Sequence, residues 1–113
     1  RNLKNLKNLF IYRNPITNLR AGTFKDLPKL ETLSIELTKI SSVEPLTFDN
    51  LPSLVLLKLS RGLLERIDSN TFSNLKSLKF LDLSFNKIKQ IDRRAFVGFS
   101  SSFETLDLFN NLL

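Results

Sequence analysis

The chain has 113 residues, 42% of them hydrophobic, with 17 Lys and Arg against 11 Asp and Glu and a net charge of +6. It contains no cysteine, histidine, methionine or tryptophan, which excludes disulfides, Cys/His metal sites, a thiol nucleophile and a histidine general base. No apolar run approaches the roughly 18 residues of a membrane span, and the basic opening RNLKNLKNLF lacks the apolar stretch of a signal peptide.

In chain order, residues 1–5 read as the tail of a repeat that precedes the first full one, with Leu3 standing where Leu27, Leu51, Leu75 and Phe99 stand later. A frame of eleven residues then opens at Leu6 (LKNLFIYRNPI), Leu30 (LETLSIELTKI), Leu54 (LVLLKLSRGLL), Leu78 (LKFLDLSFNKI) and Phe103 (FETLDLFNNLL), at steps of 24, 24, 24 and 25 residues. Its first position is always Leu or Phe. Position 4 holds Leu9, Leu33, Leu57, Leu81 and Leu106, and position 6 holds Ile11, Ile35, Leu59, Leu83 and Leu108. These alternate with variable residues, the period of a strand with one buried face. Each repeat thus gives one short strand to a parallel sheet with a spacing of about 4.8 Å.

After each frame come Leu19, Val43, Ile67 and Ile91, then Phe24, Phe48, Phe72 and Phe96, again 24 apart. One ring per repeat, stacked on the next, predicts an aromatic spine along the back. No 3.6-residue stripe is sustained there, so loops and short 3₁₀ turns are expected. Pro28, Pro45 and Pro52 lie in this half, where a missing N–H breaks no ladder. Position 9 is asparagine in Asn14, Asn86 and Asn111, because an amide donates to and accepts from the backbone groups that the strand-ending turn leaves unpaired. Thr38 supplies part of this and Gly62 none, so a local defect is expected in repeat 54–77, as a water in the amide's place or a shifted turn.

The period of 24 with L-x-x-L-x-L-x-x-N-x-I and F-x-x-L resembles the typical subclass of extracellular leucine-rich repeats found in Toll-like receptor, Slit and chaoptin-like ectodomains. The resemblance covers the whole chain. It implies an α/β leucine-rich-repeat solenoid with a curved parallel sheet on the concave side and a Phe spine on the convex side. It also implies an extracellular or cell-surface location and a receptor or adhesion role. Two features depart from those families: there are no cysteine-rich caps, and no asparagine stands in an N-x-Ser/Thr sequon. Residues 1–113 are expected to be a single array and a fragment of a longer one, or to have the uncapped columns at their ends covered by self-association or a partner.

Positions 3, 5, 7 and 8 are expected to project onto the concave face. Phe10, Tyr12, Phe80, Phe85 and Phe109 all fall there, joined by Leu37 and Leu56 and interleaved with Arg13, Glu36, Lys58, Arg61, Asp82 and Asp107. Rings and arginines among mixed charges are the composition of protein interfaces, so a protein ligand or co-receptor is the expected partner. A purely structural, assembly-forming segment is the alternative from another class. Asp82 and Asp107 share position 5 of adjacent strands, but an open sheet without a pocket or oxyanion donor favours two solvated acids over a catalytic pair. The basic run of residues 87–94 (Lys87, Lys89, Arg93, Arg94) is a candidate contact for a sulfated polysaccharide or nucleic acid, read first as a solubilising flank. Neither an enzyme nor a cofactor is expected.

Overall fold

The computed structural model describes residues 3–72, 74–96 and 98–113. Arg1 and Asn2, read above as part of a preceding repeat's tail, lie outside the described residues. Five coils follow one another. The opening strand of each is where its frame predicts: β1 Asn8–Tyr12, β3 Thr32–Glu36, β5 Leu56–Ser60, β7 Phe80–Asp82 and β9 Thr105–Asp107. They form one parallel sheet in the order β1-β3-β5-β7-β9. Leu9 pairs with Leu33, Leu33 with Leu57, Leu57 with Leu81 and Leu81 with Leu106, so each apolar column lies in register. Alternation then decides the faces: Leu33, Ile35, Leu57, Leu59, Leu81 and Leu83 are buried, while their counterparts in the first and last frames are half-covered.

The core fills the space between this sheet and the back of each coil. Phe24, Phe48, Phe72 and Phe96 form the expected spine, with ring centroids 5.8, 5.8 and 6.4 Å apart and near-parallel planes. Phe99 and Phe103 extend it toward the last coil. Thr47, fully buried beside the spine, donates from Oγ1 to Leu19 O and to Glu44 O, which removes the penalty of an inward hydroxyl.

The convex side is made of loops and short turns, as expected, with short bridges in addition. Its residues run as isolated turns closed by i→i−3 hydrogen bonds, such as Thr23 N to Arg20 O and Ala95 N to Asp92 O. None of the described residues is helical. Two-residue parallel bridges also appear there: β2 Asn18–Leu19 pairs with β4 Ser42–Val43, and β6 Arg66–Ile67 with β8 Gln90–Ile91. Two residues are too few to show a period in the sequence. The 25-residue step is absorbed on this side. The turns closed by Leu30 N to Leu27 O, Leu54 N to Leu51 O and Leu78 N to Leu75 O have their counterpart in Phe103 N to Ser100 O, so the extra residue enters between Phe99 and this turn, where Ser100 and Ser102 hydroxyls meet at 2.7 Å.

Position 9 acts across coils. Asn86 donates to Leu59 O of the preceding strand as well as to Leu83 O, and its Oδ1 accepts from Leu64 N of the preceding coil. Asn111 does the same to Leu83 O and Ile88 N. The deficit at Gly62 therefore falls one coil earlier than its own turn. Gly62 has no group to reach back with, and Thr38 Oγ1 accepts from Ile40 N by itself at 3.3 Å. Beside Gly62 lies a cavity of about 10 Å³, lined by Ile35, Ile40, Leu59, Leu64 and Asn86 among others, and Ser60 Oγ is buried with no hydrogen-bond partner among the described residues. That volume is at the lower limit for one water.

Two stability predictions follow from this packing. Phe48→Ala removes a ring stacked on both sides and should lower the unfolding free energy by about 3–5 kcal/mol in urea titrations; a loss within about 0.5 kcal/mol would show the spine to be ornamental. Gly62 has an ordinary negative-φ backbone, so Gly62→Ala should stabilise by chain entropy alone. The added Cβ, however, would stand 2.9 Å from Asn86 Oδ1. We expect the amide to lose its bond to Leu64 N and the unfolding free energy to fall by about 1 kcal/mol; a rise would mean that Asn86 can step aside.

Candidate partner-binding face

The concave face carries the position-5 column Phe10, Ser34, Lys58, Asp82 and Asp107, aligned across all five strands. Its centre is polar and knitted together. Lys58 Nζ lies 3.3 Å from Glu36 Oε2, and Ser34 Oγ is 3.2 Å from the same oxygen. Asp82 stands opposite Lys58 in register but accepts instead from Ser84 N and Ser84 Oγ at 2.9 and 2.6 Å. Asp107 accepts from Phe109 N at 2.9 Å. Both acids thus close Asx turns at their strand ends. Ser34, Ser60 and Ser84 are buried, so the middle of the face is a shallow polar saddle.

The rings flank this saddle rather than forming one patch. Phe10 and Tyr12 stand on β1 at 66% and 61% exposure, Phe109 beyond β9 at 68%, and Phe80 on β7 at 37%. Three strand spacings, roughly 14 Å, separate β1 from β7. Phe80 lies beside Leu56 in register and is partly covered.

Position 8 requires a correction. Arg13, Arg61 and Phe85, with Leu37, are expected to be strand residues projecting with the others. All lie past the strand ends in the left-handed region, with φ of 52, 56, 57 and 56° for Arg13, Arg61, Phe85 and Leu37, and 59° for Asn110 in the fifth coil. The chain must reverse its twist there to leave the sheet, and a left-handed residue does this in one step. Asparagine adopts that conformation readily; a bulky or branched side chain does so at a cost of order 1 kcal/mol. Arg13, Leu37, Arg61 and Phe85 consequently form a ridge along the lip of the sheet. The Arg61 guanidinium sits 4.2 Å above the Phe85 ring, and Phe85 meets Phe109 edge-on at 5.7 Å. This half-buries Phe85 within a ladder, where the sequence suggested a free ring.

The lip also holds a groove that sequence reasoning missed, bounded by Arg13, Leu37, Lys39 and Arg61. Its signal was available in the 24-residue alignment of Arg13, Leu37 and Arg61, but only a turn conformation brings Lys39 beside them. On the convex flank, Lys87, Lys89, Arg93 and Arg94 are all exposed. They do not make one cationic surface. Lys89 borders an open hollow shared with Asp68 and Asp92, Arg66 pairs with Asp68 at 3.3 Å, and Arg94 N donates to Asp92 Oδ1. Among the described residues no cluster of three or more Asp and Glu could hold a metal ion, and no helix is long and apolar enough to cross a membrane.

The family model for leucine rich repeats matches residues 4–64 and 52–113. The chain belongs to the leucine-rich-repeat family. Such repeats in general bind proteins and are in general non-enzymatic. The chain is similar to one solved as "Crystal structure of TLR13-ssRNA13 complex", with 33% identity over 87% of its own length and a TM-score of 0.81. It spans 14% of that chain. No curated protein sequence matches it.

Within this leucine-rich-repeat frame, the lip makes a specific prediction. Leu37→Asn should raise the unfolding free energy by about 1 kcal/mol by relieving the left-handed strain at position 8. A fall in the urea midpoint would instead show that Leu37 contributes more by packing than it loses by conformation.

Proposed function

We propose that this segment is a non-catalytic recognition module of an extracellular or cell-surface receptor or adhesion ectodomain, built from repeats of the typical 24-residue subclass, which binds a protein partner through its concave sheet. The reading takes residues 1–113 as one part of a longer repeat array. One observation carries it: Phe10, Tyr12 and Phe109 stand more than half exposed at positions that no core requires. Rings in water on a rigid sheet are anchors of the kind that interfaces bury. Phe80 and Phe85 extend the second cluster, and Arg13, Glu36, Lys58, Arg61, Asp82 and Asp107 set orientation and partner choice. The similarity to a Toll-like receptor chain supports the ectodomain setting.

A second reading is polyanion binding. It draws on the single-stranded RNA in that neighbour's complex and on the exposed Lys87, Lys89, Arg93 and Arg94. The acids interleaved with this flank weaken it relative to the first reading. Salt separates the two, because polyanion affinity falls steeply between low and physiological ionic strength while burial of rings does not.

With the partner captured, Tyr12→Ala should weaken its binding by about 1–3 kcal/mol in interferometry and leave the urea midpoint unchanged. Phe80→Ala should move both quantities, because its ring is already partly packed. If Tyr12→Ala loses folding stability and binding alike, the ring belongs to the scaffold.

A further inference from the structure

The groove on the lip carries an inference beyond the concave-face reading, with which it shares Arg13 and Arg61 but on which it does not depend. It is an open trough of about 410 Å³, formed where the strand-ending turns of the first three coils lie side by side. Three of its lining residues, Arg13, Lys39 and Arg61, are cations, and none is an acid. Within the described residues none of the three side chains makes an ion pair or a hydrogen bond. Arg61 is nonetheless held in place by its stack on Phe85. Cations left unpaired around a concavity, one of them fixed in orientation, make a field that favours carboxylates or other anions.

The floor between them is Leu37, 37% exposed and left-handed. An asparagine at this position, as at Asn110 in the fifth coil, would relax the backbone. A leucine held out at a conformational cost, between two arginines of the same ridge, adds an apolar contact that a site for a bare anion would not use. We infer that this groove docks an acidic segment of a protein partner, in which carboxylates flank an aliphatic side chain. The carboxylates meet Arg13, Lys39 and Arg61, and the aliphatic group covers Leu37. Bidentate pairing to the arginines gives such a segment its register.

The test is fluorescence polarisation of the chain with a labelled peptide of alternating glutamate and leucine, beside an all-glutamate peptide and an oligouridylate of equal charge. The glutamate–leucine peptide should bind most tightly of the three. Arg13→Ala and Lys39→Ala should each weaken it about tenfold, the size of one charge-assisted hydrogen bond. Leu37→Asn should weaken it by a similar factor while folding at least as stably, so a loss of binding there cannot be attributed to unfolding. Tyr12→Ala should leave peptide affinity unchanged, which keeps this result separate from the concave-face test. The inference is overturned if the peptide does not bind, or if Arg13→Ala and Lys39→Ala leave it unaffected. It is equally overturned if the all-glutamate peptide binds as tightly, since Leu37 then has no role, or if the oligouridylate binds tightest and responds to the same substitutions, which would make the groove a nucleic-acid contact.

Discussion

The stacking distance between coils is the constraint on which this structure rests. Parallel strands repeat at about 4.8 Å, and every other element of a coil must return within one such step. The phenylalanine rings behind the sheet repeat at 5.8 to 6.4 Å. The back of each coil is therefore taller than its front, and the stack bends with the sheet on the inside. A single ring per coil thus sets both the filling of the core and the curvature that makes one face concave. The strand register survives the 25-residue step because the extra residue is taken up between Phe99 and Phe103, on the side where no ladder has to be kept.

That division of labour explains why the functional features collect at strand ends. Positions 4 and 6 are committed to the core, and between them Ser34 and Lys58 meet Glu36 while Ser84 meets Asp82. What is left for contact with other molecules are rings at either side of the saddle and the ridge of position-8 residues along the lip. The ridge is presented by a backbone that barely changes from coil to coil, since five φ values agree within a few degrees. Arginine, leucine, phenylalanine and asparagine all stand there on the same backbone.

Much of this was legible in the residues. A frame seen five times fixes the strand positions, the register and the aromatic spine, because each is a direct translation of spacing into neighbours. Asn86 and Asn111 were recognisable as turn-satisfying amides. What spacing did not reveal was direction, namely that each amide ties back to the coil before it, so that the gap left by Gly62 appears beneath Thr38 and Ser60. Nor did spacing reveal backbone sign. Arg13, Leu37, Arg61 and Phe85 look like strand residues by count, and arginine, leucine and phenylalanine give no local hint of a left-handed φ. The convex bridges of two residues are likewise too short to leave a pattern, and the groove at Lys39 exists only because the turn folds it toward its neighbours.

The one-way amide tie gives the array a polarity that its near-identical coils would not suggest. Asn86 and Asn111 clamp the fourth coil to the third and the fifth to the fourth, whereas Thr38 satisfies its own turn and Gly62 contributes no clamp. The first two junctions lack this clamp and are tied by other side chains: Ser42 Oγ to Asn18 Oδ1 and Thr47 Oγ1 to Leu19 O between the first two coils, and Lys58 to Glu36 and Asn74 to Asp49 between the second and third. In a stack whose coils touch only their neighbours, each junction has to be fastened on its own. The trailing coils are fastened through their turns, and the leading coils through side chains on the sheet and on the back.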